Sequence, residues 1–312
     1  VTSQSRDIAL FGATGTAGRA TTLALVEAGH HVTAFGRTDP QIAGVPFTPV
    51  DVTNPFTLPP QDAVVSCLAS RTGVPQDAWA IDHAANVNVL NAAQAAGIAQ
   101  FLLLSAICVQ KPRLAFQHAK LAFEEALIAS GLTYSIIRPT AFFKSLSGQI
   151  DRLRAGKPFL MFGDGRLTAC KPLSDRDLGM FIAGCLADPE RQNQILPIGG
   201  PGPALTSEDI GTALFHALDL PPKFRRVPLS LFTLIGGTLR LGGLFSPRLK
   251  QKAELARIGH YYASESMLLW DPGKNRYDAA TTPETGRDTL ADHFAALAAG
   301  EITANRGDHA IF

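Results

Sequence analysis

Short apolar runs punctuate the first half of the chain, each closed by a glycine, a proline or a polar loop. The runs at 8–11, 31–35, 48–52, 63–68, 101–105 and 133–138 read as parallel strands, because a strand apolar on both sides needs cover on both. Longer stretches at 19–28, 79–96 and 113–130 read as helices, closed by Gly29, Gly97 and Gly131. Strand alternating with helix predicts the α/β class, a Rossmann-like doubly wound parallel sheet with helices on both faces.

After Pro139 the alternation loosens. The expected elements are a helix near 147–155 and a hairpin turning at Gly163-Asp164-Gly165. A strand over 194–198 and a helix capped by Thr206 with Asp209 follow. The pattern divides the chain into a core over 1–140 and a smaller C-terminal α/β lobe over 141–312. A segment at about 171–200 is expected to return to the core.

Composition narrows the classes of function. The 312 residues carry 28 basic and 27 acidic side chains, so nothing global points to nucleic acid. Cys67, Cys108, Cys170 and Cys185 show no metal-ligand spacing and read as reduced thiols. No metal site is expected. The polar opening at 3–7 is unlike a secretory signal, and the most apolar stretch, 227–245, is interrupted by glycines, Pro228 and Arg240. The expectation is a cytoplasmic protein.

The first apolar run meets Gly12-Ala13-Thr14-Gly15-Thr16-Ala17-Gly18, a G-x-x-G-x-x-G between strand and helix. Gly12 suits a tight turn, Gly15 lets backbone approach a pyrophosphate, and Gly18 lets helix and strand pack closely. Thr14, Thr16 and Ala17 complete the phosphate loop. The second strand ends in Arg37 where an NAD site would carry a carboxylate, which selects NADPH. Asp51 and Val52 are placed at the adenine, Leu68 and Ala69 along the middle of the nucleotide, and Ser70 toward substrate. Pro139, Thr140 and Phe142, where the chain leaves the sixth strand, are placed beside the nicotinamide.

Ser105 and Lys120 resemble the serine and lysine of short-chain reductases, which flank a tyrosine four residues before the lysine. Here that position is Phe116. The tyrosine would protonate an alkoxide as hydride reaches a carbonyl, and the lysine would grip the nicotinamide ribose. With Phe116 the ring stays and the proton is lost. The reaction that needs no phenol puts hydride on carbon and leaves the electron pair in a large conjugated system.

Long stretches then carry a closer resemblance: CVQKPRLAFQHAKLAFE from Cys108, YSIIRPTAFFKSLSGQ from Tyr134, FGDGRLTACKP from Phe162, LPIGGPGPALT from Leu196, IGHYYASESMLLWDP from Ile258 and TPETGRDTLADHF from Thr282. They identify the chain as resembling the divinyl chlorophyllide a 8-vinyl-reductases, in the atypical, NmrA-like branch of the short-chain dehydrogenase/reductase superfamily. That resemblance implies NADPH-dependent reduction of the C8 vinyl group of divinyl (proto)chlorophyllide a, in chlorophyll or bacteriochlorophyll synthesis of a photosynthetic bacterium. The F-x-x-x-K pattern belongs to that family, so Phe116 is native to it.

A chlorin is broad, flat and apolar, with a carboxylate on one edge. Phe142 or Phe143 would stack on it and Lys144 would meet the propionate; both rings read equally well as core. Tyr261 and Tyr262 are candidates for the pocket edge, Tyr261 also as a proton donor. Cys170 would be acidic only if exposed. His83, His118 and His260 are conceivable magnesium ligands, with structural roles as the default. The basic, apolar stretch 223–257 suits either peripheral membrane contact or attraction of an acidic pigment. Two other functions stay open: reduction of another aromatic or isoprenoid alkene, and a non-catalytic NADPH-holding sensor or assembly protein.

Overall fold

A computed structural model describes residues 4–232, 234, 236, 239 and 246–303. Contacts divide the chain into two units. One runs through Ser70, Pro75–Pro139 and Asp175–Ile198; the other takes Arg71–Val74, Thr140–Ser174 and the described residues from Gly199 onward.

In the first unit, β1 (Asp7–Phe11), β2 (His31–Gly36), β3 (Phe47–Pro49), β4 (Ala63–Ser66), β5 (Gln100–Leu104) and β6 (Thr133–Pro139) form one sheet with the later strand Gln194–Ile198. The order is β3-β2-β1-β4-β5-β6 and then the later strand, and every neighbouring pair is parallel. The expected doubly wound fold is therefore present. The apolar runs explain it: Ile8, Ala9, Leu10 and Phe11 are all buried, as are Ala63, Val64 and Val65 beside them. Phe11 stacks on Phe35 across β1 and β2 at 5.5 Å. The strand order reverses between β1 and β4, so their C-terminal ends open a crevice there.

Helices α1 (Thr16–Glu27), α2 (Pro75–Ala78), α3 (Asn86–Ala95) and α4 (Ala115–Ile128) connect these strands. The helix Asp175–Cys185 lies against α1 so closely that a Cβ on Gly179 would sit 2.6 Å from the Ala20 carbonyl oxygen. The helix expected over 79–96 is not continuous α-helix. Trp79–Ala85 is a π-helical turn, and α3 begins only after it. The third strand is also shorter than the expected 48–52, because the chain turns at Asp51, whose carboxylate takes the Thr53 amide.

The second unit corrects the expected hairpin at Gly163-Asp164-Gly165. Phe159–Phe162 pairs in parallel with the distant strand Phe224–Val227, and Ala169–Cys170 pairs with Leu205–Thr206. Aromatic packing sets this register. Phe159 meets Phe224 edge-on at 6.1 Å, and Gly211 leaves room for both rings. Thr206 caps the helix Ser207–Ala217, its hydroxyl accepting the Asp209 amide while the Asp209 carboxylate takes the Thr206 amide. The basic stretch 223–257 lies partly outside the described residues. Within it, the helix Pro247–Ser264 carries Tyr261 and Tyr262.

Candidate active site

The glycine loop stands at the crevice. Gly12 has φ +84°, and a Cβ there would meet the Cys67 carbonyl oxygen at 2.6 Å. A Cβ on Gly18 would lie 2.1 Å from the Gly12 carbonyl oxygen. Both glycines are thus required by backbone packing alone. Gly15 differs: a Cβ there would meet only Gly12 oxygen, at an ordinary 3.5 Å. The fold does not demand a bare residue at that position, whereas a ligand approaching the backbone would. Gly15 is the N-cap of α1 with no side-chain cap, and the first turn holds no carboxylate. Thr14, Gly15 and Thr16 are exposed and Ala17 half-buried, so this helix end is accessible to an anion. The loop therefore fits a nucleotide's phosphates.

Arg37 is exposed just past β2. Sequence reasoning missed a second cation: Arg19 donates to the Pro40 carbonyl at 2.9 Å, which brings its guanidinium to the same loop. The signal was a basic residue directly after the third glycine. Asp51 turns its carboxylate to its own loop, taking the Thr53 hydroxyl and amide and the Asn54 amide. Thr53, then Asn54 and the charge of Arg37 hold its carboxyl below the usual range. Val52 faces the core among Phe11, Phe35 and Leu58, so its side chain is not offered to an adenine. Past β4, Leu68 is half-buried, Ala69 exposed and Ser70 buried.

Phe116, Lys120 and Glu124 follow one another at four-residue steps, which aligns them on one face of α4. The helix is registered by Gln117, whose side-chain oxygen takes the Arg113 and Leu114 amides while its amide donates to the Cys108 carbonyl. Phe116 is buried. Lys120 Nζ lies 3.0 Å from Asp82 Oδ1, a carboxylate from the π-helical turn that sequence reasoning did not single out. Glu124, also missed, is buried and pairs with Arg138 of β6. The Ser105 hydroxyl, past the end of β5, donates to Glu124 Oε1 at 2.5 Å. Its proton is committed there and not offered outward.

Most of the other sequence candidates belong to the second unit; His83 and His118 belong to the first. The Thr140 hydroxyl donates to the Lys171 carbonyl and is buried. Phe142 is half-buried, but Phe143 is core, packed on His293 at 5.3 Å. Of the two rings proposed to stack on a flat ligand, Phe143 is therefore excluded. Lys144 is half-buried. Tyr261 is buried, and Tyr262, 38% exposed, meets it edge-on at 5.8 Å. Cys170 fails the condition set for it: it is buried, and desolvation pushes its thiol up to about 12. His83 packs edge-on to Trp79, His260 to Phe232, and His118 is exposed.

Comparison with known proteins adds the family. A family model described as NAD(P)H-binding matches residues 12–189. The divinyl chlorophyllide a 8-vinyl-reductase of Zea mays is 46% identical over 92% of this chain and 78% of its own length. The corresponding Cucumis sativus protein is 50% identical over 81% of this chain and 62% of its own length. Among solved structures, the NADPH complex of the Escherichia coli quinone oxidoreductase QOR2 superposes with a TM-score of 0.67. It is 18% identical and covers 93% of this chain and 99% of its own, which shows a shared fold. The expectation of a cytoplasmic protein of a photosynthetic bacterium is corrected by these matches, because both plant reductases are chloroplastic. Among the described residues no helix is long and apolar enough to cross a membrane.

Proposed function

The chain belongs to the divinyl chlorophyllide a 8-vinyl-reductase family, and on that premise we infer that it reduces the C8 vinyl group of divinyl (proto)chlorophyllide a to ethyl with NADPH, in chlorophyll biosynthesis. The observation that carries the reading is the absence of an acid where a carbonyl reductase needs one. Phe116 is buried and cannot donate a proton, and the Ser105 proton is held by Glu124.

NADPH, when bound, supplies a hydride. The chain's own residues would hold it: the α1 amides and the bare Gly15 would take the phosphates, Arg37 and Arg19 the 2′-phosphate, and Lys120 the nicotinamide ribose. Hydride delivered to the terminal vinyl carbon would send the electron pair into the conjugated macrocycle. No localised oxyanion forms, so no strong donor is required at that moment. The inner carbon would then take its proton from solvent or a weak acid, which balances the reduction. Phe142, half-buried where Phe143 is core, is the ring we take to stack on the pigment, and Lys144 the cation for its propionate.

The test is turnover of 3,8-divinyl chlorophyllide a with NADPH, with the product separated by chromatography. An 8-ethyl product carrying deuterium from labelled NADPH on the terminal carbon is expected. Label on the inner carbon would overturn the hydride step, and no product with NADPH bound and pigment intact would overturn the substrate.

A further inference from the structure

Asp82 has a feature that the hydride chemistry leaves unexplained. Its side chain is 1% exposed. Oδ1 takes both the Lys120 ammonium at 3.0 Å and the Ser70 amide at 3.2 Å. Oδ2 is equally buried and, among the described residues, meets no donor. A buried carboxylate oxygen without a donor is costly, so its presence points to a donor that arrives with a bound molecule.

The local structure is built to hold Asp82 in that attitude. The π-helical turn Trp79–Ala85 inserts a residue into the helix and disturbs its carbonyl pairing. Asn86 repairs it, donating to the Ile81 and Asp82 carbonyls at 3.2 Å each. The Asn86 side-chain oxygen takes the Ser66 hydroxyl at 2.6 Å, which ties the turn to the end of β4. Ser66 lies beside Phe11 in the sheet, immediately before the glycine loop. Asp82 therefore stands at the same edge of the sheet as the phosphate loop.

A ribose carries two neighbouring hydroxyls. Each offers an oxygen to an ammonium and a proton to a carboxylate. Lys120 supplies the first kind of partner and Asp82 Oδ2 is the second kind, unused. Phe116, in the place of a phenol, supplies neither. We propose that Asp82 is a cofactor-binding residue: a turn of its buried carboxylate on binding would bring Oδ2 to a hydroxyl of the nicotinamide ribose while Oδ1 holds Lys120 against the same sugar. This rests on the reading of Lys120 as the ribose clamp.

Calorimetric titration with two probes separates the outcomes. NADPH contains the sugar in question; adenosine 2′,5′-bisphosphate ends before it. Asp82→Asn keeps the size and an acceptor for Ser70 but loses the charge. It should raise the Kd for NADPH about tenfold or more, the loss of a hydrogen bond to a charged group. The bisphosphate should bind as it does to the wild type. Lys120→Ala should show the same selectivity. Normal NADPH affinity in Asp82→Asn with a weakened Lys120→Ala would overturn the proposal and leave the clamp standing. Normal affinity in both would remove the clamp as well. Equal weakening of both probes would make Asp82 merely structural. Should Asp82→Asn not fold, the wild type decides: an NADPH analogue lacking both nicotinamide-ribose hydroxyls should lose affinity by a similar factor, and equal affinity would overturn the proposal.

Discussion

Glu124 offers the sharpest test of how the site is held. It is 2% exposed and accepts from two neighbours at once, the Ser105 hydroxyl at 2.5 Å and the guanidinium of Arg138, whose own side chain is 16% exposed. Glu124→Ala strands that guanidinium in a buried site and leaves the Ser105 hydroxyl without an acceptor. Breaking one partner of a buried pair typically costs about 3–5 kcal/mol, most of it from the charge left behind. We expect about 4 kcal/mol, read as a fall in urea midpoint with an unchanged slope, or a drop in melting temperature on the order of 10 °C. The double variant Glu124→Leu with Arg138→Met removes both charges and replaces them with apolar volume. It should be clearly less destabilised than the single variant. A loss below about 1 kcal/mol in Glu124→Ala would show that water or another cation reaches Arg138, and would refute the buried network. A double variant as unstable as the sum of its singles would refute the argument that the stranded charge carries the cost.

Two further outcomes follow from particular distances and burial. Gly18→Ala places a Cβ 2.1 Å from the Gly12 carbonyl oxygen, so the loop must retreat by more than an ångström. NADPH affinity should fall on the order of 100-fold, with stability lowered by about 1–3 kcal/mol, measured by calorimetric titration and thermal melting. Burial holds the Cys170 thiol neutral up to about 12, against 9.0 for a free thiol, so the unfolded chain loses this proton first as pH rises. Its contribution to stability is complete below pH 9 and is lost between pH 9 and about 12. Cys170→Ala should therefore flatten the alkaline slope of stability by one proton, about 1.4 kcal/mol per pH unit. An unchanged slope would mean that the thiol is solvated.

Much of this protein could be read from local pattern. A strand buried on both faces must be apolar throughout, so β1, β4 and β5 declared themselves, and with them the parallel sheet. The glycine loop was legible for a similar reason: Gly12 and Gly18 answer to backbone contacts within a few residues or across one strand pair. The four-residue spacing of Phe116 and Lys120 was legible in the sequence, and on a helix that spacing puts both on one face. What decided the site's remaining members was contact between parts of the chain far apart in sequence. Glu124 reads as an ordinary acid on an amphipathic helix until β6 brings Arg138 to it and β5 brings Ser105. Asp82 reads as a polar residue in a long helix until a π-helical turn, braced by Ser66 and Asn86, aims it at Lys120. The strand Phe159–Phe162 could not reveal that its partner would be Phe224–Val227, because edge-on aromatic packing chose it. Phe142 and Phe143 are alike as letters, and it is tertiary packing that buries Phe143, with His293 against its ring, and leaves Phe142 half-buried. Periodicity reports which face of an element avoids water. It carries no record of which buried charge meets which, since that depends on the tertiary arrangement that desolvates them together.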